Sequence, residues 1–322
     1  MFTLAELEAA ADLVHAAFPP TATHPWPLLS ARAGAEIWVK HENHTPCGAF
    51  KVRGGLTWFD RLARARPLVR GVISATRGNH GLSLAYAGRR AGVAVSIVVP
   101  LGNSVEKNAA IRCFGARLIE HGTDFEAARE CAHALAAQEG LELVPAFHAD
   151  LVLGVATWAL EMFRAAPPLD LLYVPIGLGS GICGAIRTRD LLGLATRIVG
   201  VQSEGAPAYA LSFAAGEVVA TERSSTRADG VATRQPDPAA LAIIRAGAER
   251  IVTVSDAEIA AAIRAFWTDT HNLAEGAGAA PLAAALKERE TIAHRRVGLV
   301  LSGGNIDLDL FRDWVLASAS PL

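Results

Sequence analysis

This sequence has no block of like charge, no apolar run of membrane-spanning length and only four cysteines in 322 residues. Each absence removes a class of function. A formal net charge of −2 without a strong run of either sign offers nothing to nucleic acid or to an anionic membrane surface, so a small molecule is the expected partner. The apolar windows at 93–99 and 297–301 are far shorter than the roughly 20 residues a spanning helix requires, and no membrane span is expected. Cys47, Cys113, Cys131 and Cys183 show neither CxxC nor Cys/His spacing. They read as reduced thiols, with no zinc site and no disulfide framework. The opening MFTLAELEAAADLVHAAF carries acids at helical spacing rather than a basic segment followed by an apolar run. No signal peptide is expected there, and the cytoplasm is the expected location. No repeat or low-complexity tract is visible, and 51% hydrophobic against 19% charged residues excludes a disordered chain.

What is present is an alternation of short apolar runs with longer helical patterns. Strands are expected at 72–75, 94–99, 117–120, 171–175, 197–201, 250–254 and 297–301, and helices at 52–63, 81–91, 104–114, 124–139, 157–165, 256–270 and 278–289. Several of these helices begin at a Ser or Asp suited to N-capping. Such alternation predicts an α/β fold of parallel-strand-rich sheets covered by helices. The strands expected between Val72 and Val144 form one block, which predicts a small domain over 69–146 and a larger one from 1–68 and 147–322. The polar, Pro-containing segment 222–238 reads as a solvated surface loop.

Four motifs carry chemistry. In LLYVPIGLGSGICGAI a strand runs into Gly177, Leu178, Gly179, Ser180, Gly181 and Gly184 before a helix. Unpaired N–H groups at such a turn cradle a phosphate, and the Ser180 hydroxyl adds a donor. Gly179, Gly181 and Gly184 also satisfy GxGxxG, so a dinucleotide-binding oxidoreductase is a rival reading. That reading requires an acid at the end of the next strand, where RIVGVQ ends at Gln202. In HTPCGAFKVRGG, Lys51 follows Phe50 and opens a helix. Apolar neighbours and a helix start lower the stability of its ammonium, which suits imine formation with an aldehyde. In SATRGNHG, Thr76, Arg77, Gly78, Asn79 and His80 link a strand to a helix N-terminus, a site suited to a substrate carboxylate. In VGLVLSGGNID a buried strand stops at Ser302.

Together the motifs resemble the fold-type II pyridoxal 5'-phosphate (PLP) enzymes, a two-domain fold like the tryptophan synthase β subunit, and within them the threonine and serine dehydratase branch that includes serine racemase. AFKVRGG, TRGNHG, PIGLGSGICG, EGAGAAPLAAAL and LSGGNID occur in family order and span nearly the whole chain. The resemblance implies that Lys51 carries the cofactor as a Schiff base and serves as the general base. Phe50 packs on the cofactor ring, Asn79 bonds the ring hydroxyl, Gly177 to Gly181 hold the phosphate and Ser302 faces the pyridine nitrogen. The implied reaction is β-elimination of a 3-hydroxy amino acid (threonine, serine or 3-hydroxyaspartate) to a 2-oxo acid and ammonia. Racemisation and β-replacement are the alternatives within the same cofactor class. A homodimer is expected by analogy.

Two departures narrow the expectation. Racemising relatives place a serine immediately before GNH, where this chain has Arg77. An arginine has no accessible neutral form, and it suits a substrate with a second acid group. Where the racemase branch places acids for a divalent cation, this chain has Gln202 and Ala208, so no metal is expected at that site, leaving Glu204 as the nearby acid. With only a short segment after LSGGNID, the regulatory domain of biosynthetic dehydratases and its feedback inhibition are not expected, and a catabolic or specialised role is the expectation.

Overall fold

Strands buried on both faces are written as near-continuous apolar runs, because a polar residue there needs a buried partner, as Ser74 has in the Val144 carbonyl. VISA and VSIVV are buried at every position, and RVGLVL at all but its first. In the computed structural model, which describes residues 1–317, the strands are β1 (Thr23–Pro25), β2 (Glu36–His41), β3 (Val72–Ala75), β4 (Val95–Val99), β5 (Arg117–Glu120), β6 (Glu142–Leu143), β7 (Leu171–Pro175), β8 (Arg197–Ser203), β9 (Ala248–Val254) and β10 (Arg296–Leu301). They form a six-stranded sheet in the order β1-β2-β10-β7-β8-β9 and a four-stranded sheet in the order β5-β4-β3-β6. Every pairing is parallel except β1 with β2. The smaller sheet is drawn entirely from residues 72–143 and the larger from residues on either side of them.

Helices start where the sequence caps them. Asp124 accepts from the Ala127 N–H ahead of Phe125–Glu139. Ser255 and Glu258 form a reciprocal capping box at the head of Asp256–Thr270. Asp237 caps Pro238–Gly247, whose first position is the proline that helix N-termini accept. Helices Asp256–Thr270 and Gly276–Lys287 pack on one face of the large sheet, and Ala149–Ala165 with Ser180–Leu191 on the other.

The structure extends two expectations. The helix foreseen at 157–165 spans Ala149–Ala165. Its early turns contain Gly154, which in sequence reads as a break. In space that glycine lets two helices touch, since a Cβ there would lie 2.2 Å from the Arg53 carbonyl. Strand β2 was not foreseen, because its inward positions include Lys40 and His41, both fully buried. The Lys40 ammonium is matched by the Glu161 carboxylate at 2.5 Å and the Thr21 carbonyl at 2.7 Å.

Candidate active site

Parallel strands direct their following loops to one edge, where ligands gather. β3 leads into Thr76 to His80, β7 into Gly177 to Gly181, and β10 into Ser302. The segment before Lys51 joins them: the Phe50 N–H donates to the Ser302 carbonyl at 3.0 Å, and Ala49 bridges to Gly303.

Lys51 opens the helix Lys51–Ala65. Its Nζ donates to Ser180 Oγ at 2.8 Å and lines a small cavity with Gly54, His80, Ala146, Leu151, Val155 and Ser180. Burial pushes its pKa down from 10.5 to about 8, because a low-dielectric wall penalises the ammonium more than the amine. Ser180, expected only as a phosphate donor, here accepts from the lysine as well. The first turn of the lysine helix is pinned by Ser83 Oγ, which donates to the Lys51 carbonyl at 2.6 Å.

The glycine loop is shaped for an anion. Gly179 has φ +99°, a left-handed conformation that side-chain-bearing residues rarely adopt. At Gly177 a Cβ would stand 2.4 Å from the Gly230 carbonyl. Behind the loop, the Tyr209 hydroxyl donates to the Leu178 carbonyl at 3.0 Å and accepts from the Asp237 N–H at 3.0 Å. With that carbonyl turned back into the protein, the N–H groups heading the helix Ser180–Leu191 are left to face a ligand. The Phe50 ring lies beside the same turn, 3.6 Å from where a Cβ on Gly181 would be.

The third loop is held partly by its own residues and partly from across the cleft. Thr76 Oγ1 accepts from the Gly78 N–H at 3.0 Å. Asn79 Nδ2 donates to Glu275 Oε1 at 2.6 Å, and its Oδ1 accepts from Asn305 Nδ2 at 2.9 Å. His80 Nε2 is buried without a hydrogen-bond partner among the described residues, and burial, reinforced by the Lys51 charge, pushes its pKa down to about 3. The ring is therefore neutral at physiological pH. Arg77 stands outside this cavity, half-exposed, 3.9 Å from Asp229. Ser302 is buried.

A buried charge network anchors the lysine helix. Arg53, two residues after Lys51, is fully buried. Its guanidinium forks onto Glu42 at 2.7 and 2.9 Å and onto Glu161 at 2.5 and 2.8 Å. With Lys40 on Glu161, two cations face two carboxylates. Glu161 is held well below the usual carboxylate range, at about 2, by Arg53 and Lys40, whose pull outweighs its burial.

The residues expected from sequence thus fall into three groups: Lys51, Ser180 and His80 around one cavity, Phe50 with Gly177 to Gly181 and Ser302 on the adjoining segments, and Thr76 to Asn79 on the turn that leads into His80, with Arg77 outside the cavity. Glu275 and Asn305 were not nominated, although both stand in recognised strings, because their contacts with Asn79 close over large sequence separations. Tyr209 and Ser83 carried no local signal. The segment 222–238 is only partly the solvated loop expected. A short turn, Asp229–Val231, folds Ala228 and Val231 into the core and brings the Gly230 carbonyl against the glycine loop. Glu204 is engaged by the Lys287 ammonium at 3.0 Å, and among the described residues no group of three or more His, Cys, Asp or Glu is placed to hold a metal ion.

The residues fit a phosphorylated aldehyde cofactor. A lysine of lowered pKa and a buried imidazole nitrogen without a partner among the described residues line one cavity, and the anion cradle adjoins it through Ser180. Comparisons with known proteins agree. A family model described as pyridoxal-phosphate dependent enzyme matches residues 14–303. The chain is 36% identical over 284 residues to an L-threonine ammonia-lyase of Geobacter sulfurreducens, covering 87% of this chain and 70% of that one. It is 32% identical over 282 residues to an L-threo-3-hydroxyaspartate ammonia-lyase of Saccharomyces cerevisiae, covering 87% and 86%. The crystal structure of a pyridoxal 5'-phosphate-dependent aspartate racemase, 27% identical, matches with a TM-score of 0.90 over 95% of this chain and 97% of that one. The chain belongs to the family of pyridoxal-phosphate dependent enzymes and has their fold-type II architecture.

Proposed function

We propose that this chain is a PLP-dependent lyase that removes the elements of water from a 3-hydroxy amino acid and releases a 2-oxo acid and ammonia. The observation that carries the reading is the Lys51 Nζ, bonded to Ser180 Oγ at 2.8 Å and lowered to a pKa of about 8, at the mouth of a phosphate-shaped loop. The relatives named above support the reaction class.

In this reading Lys51 holds the cofactor covalently, the N–H groups of Gly177 to Gly181 take its phosphate, Phe50 flanks its ring, Asn79 meets the ring hydroxyl and Ser302 faces the ring nitrogen. When bound, the cofactor supplies an electron sink for the substrate Cα, moderated by the neutral hydroxyl at its ring nitrogen. The chain's own residues do the rest. The N–H groups of the Thr76 to His80 turn and the head of the helix Asn79–Ala91 receive the substrate carboxylate. The Lys51 amine, whose pKa near 8 leaves an appreciable neutral fraction near neutrality, takes the Cα proton. Ser180 Oγ orients that amine. Leu151, Val155 and Ala146 wall the cavity against water. The glycine-loop alternative, a dinucleotide site, loses its remaining support at Gln202, which is buried and whose Oε1 accepts from the Ala210 N–H at 2.9 Å.

We also propose that 69–146 moves as a small domain against 1–68 and 147–322, of which 318–322 lie outside the described residues, so that the cleft closes over substrate. Its support is the segregation of the two sheets. A homodimer working in the cytoplasm in amino-acid catabolism is the setting we propose by analogy with the dehydratase branch; no helix among the described residues is long and apolar enough to cross a membrane.

The test is an absorbance spectrum of the purified protein with PLP, followed by a coupled 2-oxo acid assay on hydroxy amino acids. A visible-edge band that Lys51→Ala abolishes, with oxo acid formed, supports the lyase. Exchange of the Cα proton without oxo acid would replace elimination with racemisation.

A further inference from the structure

Position 77 puts a guanidinium at the rim of the substrate loop. Arg77 is half-exposed, and its one ionic neighbour among the described residues is Asp229 at 3.9 Å, beyond hydrogen-bonding distance. Among the described residues it has no hydrogen-bond partner, so its five N–H donors are unspent. The neighbouring cation is differently placed. Lys107 is largely buried, 3.6 Å from Glu275 Oε2, and its Nζ would lie 3.4 Å from a Cβ on Gly78. Two cations therefore flank Gly78, one committed to a buried acid and one available.

Asp229 lines a cleft of about 310 Å³ with Lys107, Arg227, Glu275 and Asn305. It immediately precedes Gly230, whose carbonyl lies over the glycine loop at Gly177. The Arg77 guanidinium thus stands 3.9 Å from a carboxylate on the wall of that cleft, one residue before the carbonyl that approaches the loop assigned to the cofactor phosphate. The Asp229 carboxylate marks where an anion is accepted there. An ion pair this long and this exposed contributes little, so a carboxylate that can fork onto the guanidinium displaces it readily.

We propose that Arg77 is a specificity residue that receives a second carboxylate, so that the preferred substrate is a 3-hydroxy amino acid whose β-carbon also bears a carboxylate. This deepens the lyase reading and rests on it for the site. With the α-carboxylate on the Thr76 to His80 turn, the second carboxylate replaces Asp229 on Arg77. Elimination breaks the Cα–H and Cβ–O bonds and releases water. Hydrolysis then returns one water and frees ammonia, giving a four-carbon 2-oxo diacid. A methyl group at the same place, as in threonine, leaves the guanidinium unmatched, and polar sites discriminate strongly against a ligand that lacks the matching group.

L-aspartate and L-2-aminobutyrate separate recognition from chemistry, since neither carries a leaving hydroxyl. Their dissociation constants with the PLP-loaded protein are read from the change in its visible absorbance. 2-Oxo acid release from L-threo-3-hydroxyaspartate and from L-threonine is measured in parallel. The parent protein is expected to bind L-aspartate at least about tenfold more tightly than L-2-aminobutyrate, the scale of a charge-assisted hydrogen bond. Arg77→Gln is expected to erase that ratio, Arg77→Lys to keep part of it, and Asp229→Asn to tighten L-aspartate. A ratio near one in the parent, or one that survives R77Q unchanged, overturns the proposal even if threonine is turned over. Oxo acid from neither substrate, with an R77Q-sensitive binding ratio, would instead sink the elimination reading and leave Arg77 as the carboxylate receptor.

Discussion

Replacing Lys51 by methionine should stabilise the cofactor-free protein, and by an amount that depends on pH. The lysine falls from 10.5 to about 8 on folding. At about 1.4 kcal/mol per tenfold change in proton affinity, the desolvated ammonium costs roughly 3–4 kcal/mol, an upper bound because the residue as a whole keeps some solvent exposure and its ammonium retains the Ser180 contact. The sign follows from linkage. Below pH 8 both folded and unfolded chains hold the proton, and the whole cost is present. Between 8 and 10.5 the folded chain binds fewer protons than the unfolded one, so stability rises with pH until the cost has gone. Lys51→Met has no such contribution. Urea unfolding of both cofactor-free proteins between about pH 7 and 10 isolates it, because the other titrating groups are common to both. The stability gap in favour of the variant should be widest at the low end and close steadily above pH 8. Parallel pH profiles, or a gap that widens with pH, would refute the assignment of a buried, depressed lysine.

Other expectations follow from neighbouring contacts. Arg53→Met leaves Glu42 and Glu161 buried without the guanidinium that forks onto both, which should cost about 3–5 kcal/mol in chemical denaturation; a loss below about 1 kcal/mol would mean the network is not the anchor of the lysine helix. Gly177→Ala drives a methyl to within 2.4 Å of the Gly230 carbonyl, and should weaken PLP binding at least about tenfold by fluorescence titration while circular dichroism stays unchanged. Tyr209→Phe removes one bond to the Leu178 carbonyl and one from the Asp237 N–H. The loosened loop should lose about 1–3 kcal/mol of affinity for PLP, and the cofactor-free protein should lose protection by inorganic phosphate in a thermal melt.

Two of the parallel strands were legible because burial on both faces leaves mostly apolar residues, and β3 and β7 lie where the apolar runs place them. The cradle was legible because its glycines answer local demands: a positive φ at Gly179 and a backbone approach at Gly177. β2 was hidden because Lys40 and His41 break the pattern, and its lysine is neutralised by Glu161 from a helix more than a hundred residues away in the chain. Glu275 reaches Asn79 across 196 positions, a pairing that no local spacing encodes. Asp229 and Gly230 were read as solvent-facing because their sequence neighbours are polar, and only the turn that buries Ala228 and Val231 aims them at the site.

The central claim, that Lys51 is the residue that carries the cofactor, is open to direct chemistry. The chain has four lysines, Lys40, Lys51, Lys107 and Lys287. Borohydride reduction of the PLP-loaded protein, followed by peptide mapping by mass spectrometry, fixes the cofactor to whichever of them holds it. The expected result is a reduced pyridoxyl group on the peptide containing Lys51 and on no other; a group on Lys107 or Lys287, or none on any lysine, would contradict the account.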